Sequence, residues 1–317
     1  MRVAKAAVLA AVLLVVLAVL AACGSSSPSS SSSASTSTSA SPSATSGGVT
    51  ADATLHAMLP AAIKSAGTIR VATNIPYPPW EMYTAVGSKQ ATGIDYDLSQ
   101  AIAAKLGVKA SFDQTVFDSI IPALLAGKED MVMASMFDDA TRQKQLDFVD
   151  YATDSYGILL PKGNPDHITS IQDLAGKTVA LQSGTAQVGE LQKLAKSFAA
   201  AGKPKLTILQ FPQDSDALLA VTSGKAQAQM DDQSVAAYTV KTFNNGNTFV
   251  LLQDPTIATT FSNGIIGVGV PKTDTQLRDA VQKALQALIT DGTYAQILNK
   301  YGESSLAVTS ALVNQGK

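Results

Sequence analysis

From about residue 54 onward, apolar and polar positions follow a two-residue period in some segments and a helical period in others, which predicts strands and helices in turn. Thr68–Thr73 is the first predicted strand. Leu98, Ile102 and Leu106 recur every four residues and therefore share one face of a predicted helix. We expect Asp97 to cap the beginning of that helix, because its carboxylate accepts hydrogen bonds from free backbone N–H groups.

The same alternation continues to the end of the chain. Asp118 is expected to cap a second helix that buries Ile121 and Leu125. Strands that alternate with helices along the chain are typical of an α/β fold with a mostly parallel sheet. Two such series predict two lobes with a cleft between them. The remaining predicted strands are Val108–Phe112, Met131–Ala134, Tyr156–Leu160, Thr178–Leu181, Leu206–Leu209, Ala226–Met230 and Ile265–Val270, and the remaining helices are Thr185–Ala200, Asp216–Ser223, Thr275–Ile289 and Thr293–Tyr301.

The beginning of the chain has a different pattern. Arg2 and Lys5 precede an uncharged apolar run over 6–22, which fits either a membrane-spanning helix or a signal peptide. The end of the run, Leu-Ala-Ala-Cys-Gly over 20–24, resembles a bacterial lipobox. We therefore expect a lipoprotein signal peptide over 1–22 and a lipidated Cys23, whose acyl chains hold the protein on the outer face of the cell membrane. The alternative is an ordinary signal with a buried Cys23.

Ser, Thr, Ala, Pro and Gly make up nearly all of residues 24 to about 50. Such a composition cannot bury enough apolar surface to offset the loss of chain entropy on folding. We expect residues 23–53 to form a disordered tether.

Composition excludes several classes of function. The net charge is −2 and there is no basic run, so the electrostatic signature of a nucleic-acid-binding protein is missing from the sequence. Cys23 is the one cysteine, and the two histidines, His56 and His167, are far apart, so we expect no disulfide and no metal site. No nucleotide-binding loop or serine-hydrolase motif is present, and we expect no cofactor.

Several short segments, in order and at matching spacing over roughly residues 66–303, resemble the polar amino-acid family of extracellular solute-binding proteins, family 3. Each segment alone is weakly specific, whereas the series is strongly so. The segments are Ile69–Thr73 with Tyr77–Glu81, Gly93–Leu98 with Ala101–Ala103, Phe117–Leu124, Arg142–Phe148, Asp173–Lys177, Gln182–Thr185 and Asp291–Tyr294.

The resemblance implies a two-lobed periplasmic-binding-protein fold of type 2, with two hinge strands and a ligand cleft between the lobes. The crossings are expected near Ala152–Leu159 and Ile257–Gly264. Lobe 1 is then discontinuous, over 54–153 and 263–305, lobe 2 covers 154–262, and residues 306–317 form a C-terminal tail. The implied function is that of a monomeric, lipid-anchored binding protein that delivers an amino acid to an ABC permease.

Three residues align with the family positions that hold the zwitterionic part of an amino acid. Arg142 aligns with the arginine that binds the carboxylate, for which a planar guanidinium is suited. Thr185 lies at a predicted helix N-terminus, whose free N–H groups suit the same carboxylate. Asp232 aligns with the aspartate that accepts the ammonium group, and Asp231 beside it is the alternative.

Other positions of the resemblance surround the ligand. Tyr77 and Phe117 align with two aromatic residues that enclose the ligand side chain, and Trp80 is expected to pack beneath the loop. Ser135 and Phe137 align with positions that line the carboxylate site. This chain departs from the family pattern here, because Phe137 replaces a hydroxyl residue and residues 140–141 are Ala-Thr rather than Thr-Glu.

Two further positions bear on the choice of ligand. Asn74 stands where relatives that bind cationic amino acids carry an aspartate, which argues against a cationic ligand. Gln182 is a neutral amide at a position that varies with ligand class. Together they favour an amino acid with a polar uncharged or an acidic side chain.

Two rival functions use the same fold. A sensory module would bind a ligand in the same way and signal to a membrane receptor. A dehydratase-type enzyme would need a carboxylate or histidine poised at the leaving group, and the acidic pairs at 138–139 and 231–232 are better explained as solvated turns. We therefore expect no enzyme activity.

Overall fold

A computed structural model describes residues 48–261 and 264–317. The predicted signal peptide, the lipidation at Cys23 and most of the predicted tether lie outside these residues. Within the described ranges, no helix is long and apolar enough to cross a membrane. The helices are α1 (Ala53–Met58), α2 (Ala61–Ala66), α3 (Ile94–Lys105), α4 (Ile120–Leu125), α5 (Ala186–Ala200), α6 (Asp214–Thr222), α7 (Gln233–Thr242), α8 (Ile257–Thr260), α9 (Thr275–Thr290) and α10 (Thr293–Lys300).

The strands build two larger sheets and one small hairpin. They are β1 (Thr68–Thr73), β2 (Met82–Tyr83), β3 (Ala91–Thr92), β4 (Lys109–Gln114), β5 (Met131–Val132), β6 (Phe137–Asp138), β7 (Leu146–Asp154), β8 (Tyr156–Pro161), β9 (Thr178–Gln182), β10 (Thr207–Phe211), β11 (Ala228–Asp232), β12 (Phe249–Leu251) and β13 (Gly264–Pro271).

The first sheet has the order β4-β1-β5-β13-β6, with β7 paired along β13, and forms the core of lobe 1. β1 pairs in parallel with β4 and β5, because α3 and α4 return the chain across the face of the sheet. β13 is antiparallel to β5, β6 and β7. The sheet is therefore mixed rather than mostly parallel.

The second sheet has the order β10-β9-β11-β8-β12 and forms lobe 2. β9 pairs in parallel with β10 and β11, while β8 is antiparallel to β11 and β12. The prediction of a mostly parallel sheet is wrong for both lobes for the same reason. The strands next to the points where the chain passes between the lobes are antiparallel to their neighbours. Their apolar sequences do not indicate whether a strand is parallel or antiparallel.

The chain passes between the lobes over a single residue. β7 ends at Asp154 in the first sheet and β8 begins at Tyr156 in the second, so Ser155 joins them. The return passes from α8 to β13. Both lobes therefore meet along the carboxyl ends of their parallel strands.

The predicted apolar face of α3 is confirmed, since Leu98, Ile102 and Leu106 are fully buried. The cap is wrong, because the helix begins at Ile94 after Gly93, one turn earlier than Asp97. Asp97 lies in the first turn and accepts bonds from the side chains of Lys300 and Tyr301.

The predicted face of α4 is wrong by one position. A short 3₁₀ turn over Phe117–Ser119 precedes the helix, and Asp118 makes no cap. The turn shifts the helical phase, so that Ile120 and Leu124 are buried while Leu125 is 48 % exposed. The predictions missed the helices α1, α2, α7 and α8 and the strands β2, β3, β6, β7 and β12 entirely.

Candidate functional site

The cleft between the lobes lies at the carboxyl ends of β1, β5, β9 and β11, the usual position for ligands of α/β sheets. Its free volume is ≈ 10 Å³, which holds about one water molecule. An amino acid therefore enters only if the lobes move apart. The lining residues are Asn74, Tyr77, Glu81, Phe117, Ala134, Ser135, Phe137, Arg142, Gln182, Thr185, Ala186, Gln187 and Asp232.

All nine residues predicted from the sequence lie in this one lining. The structure thus brings them together from both lobes, while their role in binding stays a prediction. Four residues were missed: Glu81, Ala134, Ala186 and Gln187. Of these, Glu81 belongs to the motif after Tyr77, and Gln187 follows Thr185 by two residues, so both had a sequence signal that was not used.

Arg142 lies on a short 3₁₀ turn and is 7 % exposed. Its guanidinium donates to the carbonyl oxygen of Phe137 at 2.7 Å in lobe 1 and to that of Gly184 at 2.9 Å in lobe 2. Asp139 supports it through an ion pair of 3.4 Å, and the Phe117 ring centroid lies 5.7 Å from its Cζ. Burial lowers the pKa of the guanidinium from its ordinary value.

Asp232, at the end of β11, accepts hydrogen bonds from both lobes. Ser135 Oγ of lobe 1 donates at 2.9 Å and Gln187 Nε2 of lobe 2 at 2.6 Å. Burial raises the pKa of the Asp232 carboxyl well above its ordinary value, and the nearby Asp154 adds to the effect. Ser135 has a φ of 45°, a left-handed conformation that few residues other than glycine adopt, and it aims its hydroxyl at Asp232.

Asp231 does not line the cleft. It accepts a hydrogen bond from the hydroxyl of Tyr77 and one from Gln229 Nε2 at 3.2 Å. Adjacent residues of a strand point in opposite directions, so Asp232 and Asp231 have different partners. Asp231 therefore holds the Tyr77 ring in place at the cleft.

Gln182 and Asn74 contact one another across the cleft. Gln182 Nε2 donates to Asn74 Oδ1 at 2.6 Å, and Asn74 Nδ2 donates to the carbonyl of Thr115 at 2.9 Å. Thr185 is the N-cap residue of α5, as predicted, but its hydroxyl donates to the Gln182 carbonyl and accepts no hydrogen bond from the N–H groups of the helix. The backbone N–H groups of the first turn of α5 therefore face the cleft without a side-chain cap.

Phe137 fills the cleft floor, where the family pattern has a hydroxyl residue. Its ring is edge-on to Tyr156 at 5.5 Å and packs on Gly264, where an added Cβ would lie 2.3 Å from the ring. The main-chain carbonyl of Phe137, rather than its side chain, holds Arg142.

Glu81 is fully buried, and its carboxyl group contacts that of Asp95 rather than a basic side chain of the described residues. Asp95 lies beside it and accepts from Tyr151 Oη at 2.6 Å and from the Ser135 N–H at 2.7 Å. Burial and the charge of Asp95 raise the pKa of Glu81 well above its ordinary value. Arg142 is the one cationic side chain among the described lining residues, so the cleft has a surplus of acidic groups.

Comparisons with known proteins identify the family of the chain. Residues 69–304 match the family model described as bacterial extracellular solute-binding proteins, family 3. The chain belongs to this family. The implied two-lobed fold is confirmed. The arginine-binding protein ArgT of Corynebacterium glutamicum is 27 % identical over 81 % of this chain and 81 % of its own length. The histidine-binding periplasmic protein of Escherichia coli is 28 % identical over 74 % of this chain and 86 % of its own.

Solved structures of similar proteins include an ancestral arginine-binding protein bound to arginine, with 36 % identity, a TM-score of 0.66 and coverage of 74 % of this chain and 98 % of that one. The substrate-binding protein of an amino acid ABC transporter has 29 % identity and a TM-score of 0.66, over 74 % and 99 %. An ancestral amino-acid-binding protein described as a precursor of cyclohexadienyl dehydratase has 35 % identity and a TM-score of 0.63, over 76 % and 97 %.

Proposed function

We propose that this solute-binding protein captures an α-amino acid by closure of its two lobes and delivers it to the permease of an ABC importer. The family, and the ligands named for its relatives, support this proposal. In this proposal lobe 1 comprises 54–153 and 263–305, lobe 2 comprises 154–262, and the protein acts as a monomer. The ligand shifts the lobes toward the closed form because only that form contacts it from both sides.

The zwitterionic part of the ligand is assigned to Arg142 and Asp232. Arg142 binds the carboxylate together with the free N–H groups at the start of α5, and Asp232 binds the ammonium group. Opposite charges at these two positions match the two charges of an α-amino acid. The Ser135 hydroxyl and the Gln187 amide hold Asp232 in place.

The ligand side chain is assigned a positive charge, with arginine as the first candidate. The observation that carries this assignment is the buried Glu81, which lies beside Asp95 without a basic partner in a cleft with surplus acidic groups. The comparisons do not support the expected preference for a polar uncharged or acidic side chain, since the named relatives bind arginine and histidine. That expectation rested on Asn74 and Gln182 and did not include Glu81.

Calorimetric titration of the purified protein with each common amino acid tests the proposal. We expect arginine to bind most tightly and Arg142→Ala to abolish measurable binding while the melting temperature stays close to that of the parent. Arg70→Ala, at a side chain 45 % exposed outside the cleft lining, is the matched control. Failure of every amino acid to bind, or unchanged affinity in Arg142→Ala, would contradict the assignment.

Two alternatives remain to be tested directly. The similarity to a dehydratase precursor favours an assay for turnover, in which release of any product from a bound amino acid would assign an enzyme function. A sensory role predicts binding to a receptor ectodomain instead of stimulation of a permease. Reconstitution with the permease distinguishes the two.

Cys23 is proposed to anchor the protein to the outer face of the cell membrane. The lipobox-like run before it supports this. Metabolic labelling with a radioactive fatty acid is expected to mark the parent protein and not Cys23→Ala, which is released into the medium. Equal membrane retention of both would contradict the anchor.

A further inference from the structure

Residues 307–316, called the tail here, run along β7 instead of leaving the domain. Bridges join Ala307 to Ala152 and Val313 to Val149. The Asp150 N–H donates to the Leu312 carbonyl at 2.9 Å. The tail thus adds backbone pairing to the strand that leads to lobe 2.

Asn314 fixes the register of the tail on β7. Its side-chain oxygen accepts from the Phe148 N–H at 2.8 Å, and its own N–H donates to the Phe148 carbonyl at 3.1 Å. Its amide nitrogen donates to Asp147 at 3.0 Å. Asn314 thus bonds both the N–H and the carbonyl of Phe148. This pairing directs the two residues after Asn314 toward the segment of lobe 1 that lines the cleft.

Those two residues bind two buried carboxylates with consecutive N–H groups. Gln315 donates to Asp150 at 3.0 Å and Gly316 donates to Asp138 at 2.7 Å. Both aspartates are 3 % exposed. Burial raises the pKa of Asp150 to about 7 and also raises that of Asp138. Without the tail, two close acidic groups lose donors that stabilise their charged forms.

Asp138 and Gln143 lie at the two ends of the segment that contains Arg142. Gln143 Nε2 donates both to Asp138 Oδ1 at 2.8 Å and to the Gly316 carbonyl at 3.0 Å. Gln143 directly follows Arg142, and Asp138 directly follows Phe137, whose carbonyl holds the guanidinium. Gly316 therefore contacts both ends of the loop that orients Arg142.

We propose that the end of the tail, residues 314–316, positions Arg142 for ligand binding by fixing the segment 137–143 from behind. This inference rests on the proposed amino-acid binding. No side chain fits at position 316, because a Cβ on Gly316 would lie 1.9 Å from the Asp138 carbonyl oxygen. The tail acts through Arg142 and does not touch the ligand.

The test compares the full chain with Gly316→Ala and with a chain ending at Val313. Calorimetry is expected to show affinity for arginine weakened about tenfold or more in both. Affinity for argininamide, which lacks the carboxylate that Arg142 binds, is expected to stay within about twofold of the parent value. A chain lacking only Lys317 is the matched control and should bind like the parent.

The outcomes separate the two proposals. If the parent protein binds no amino acid, the proposed function fails. If the parent binds and both variants keep its affinity for arginine, the positioning role of the tail is wrong. Equal weakening for arginine and argininamide, or a large fall in melting temperature without selective loss, would also overturn it in favour of a purely structural tail.

Discussion

Glu81 is the residue on which the proposed preference for a positively charged ligand side chain most directly depends. It is fully buried in the cleft lining, beside Asp95 and without a basic side chain of the described residues to neutralise it. A buried carboxyl without a counter-charge holds its proton, and a cation nearby favours the ionised form. A cationic ligand side chain would therefore gain both a hydrogen-bond acceptor and a charge partner.

The substitution Glu81→Gln tests this role. Calorimetry should show affinity for arginine reduced by about 2 kcal/mol or more, because a buried charge partner is removed. Affinity for glutamine should change far less. Glu129→Gln, before the amino end of β5 and outside the cleft lining, is the control. A parallel loss for both ligands would indicate a role in packing rather than in selectivity.

At the scale of elements, the turns that follow the parallel strands contain many of the residues that line the cleft. The turn between β9 and α5 contains Gly184, whose φ is +78° and whose carbonyl accepts from Arg142. It also meets lobe 1 closely, since a Cβ there would lie 2.8 Å from Asp118 Cβ and 2.9 Å from Asp118 Cα. The contact between this turn and Asp118 of lobe 1 therefore requires glycine at position 184.

Gly184→Ala is expected to weaken amino-acid binding by about tenfold, a difference of about 1.4 kcal/mol, because the closed form becomes strained. Titration calorimetry measures this. Gly189→Ala, within α5 and with no atom within 4 Å of the added Cβ, should leave affinity unchanged. Unaltered binding by Gly184→Ala would show that closure leaves room at this turn.

The sequence predicts well what a single element determines and poorly what packing between elements determines. The buried face of α3 follows from its own periodicity, and so does that of α9, whose Leu277, Val281, Leu285 and Leu288 are fully buried as predicted. The face of α4 depends on a preceding 3₁₀ turn. Glu81 belongs to a recognised motif, but its burial results from packing of the loop against the lobe, which no local pattern predicts.

Across the whole molecule, buried acidic groups couple stability to pH. Burial raises the pKa of Asp150 from 3.8 to about 7 and that of Asp95 to about 6. The folded state therefore binds these protons more tightly than the unfolded state. Their contribution to stability is fully present below the ordinary pKa and is lost as the pH rises through the folded value.

The free energy of unfolding should accordingly decline from about pH 4 to about pH 7, and Asp150→Asn should make the decline shallower. Urea denaturation followed by far-UV circular dichroism measures it. Asp138 and the Gln315 N–H face Asp150 and are retained in the variant. Asp216→Asn, at an exposed site on α6, is the control. An identical slope in Asp150→Asn and the parent would refute the assignment to Asp150.

The indole of Trp80 joins the lobes. It is fully buried, lies edge-on to Tyr151 with centroids 6.1 Å apart, and donates from Nε1 to Ser234 Oγ at 2.9 Å. It is also the only tryptophan of the chain. Separation of the lobes would break this bond and admit water to the indole. Its emission spectrum should therefore shift to longer wavelength on opening and return on closure, which gives the protein an optical signal of its own state without any label.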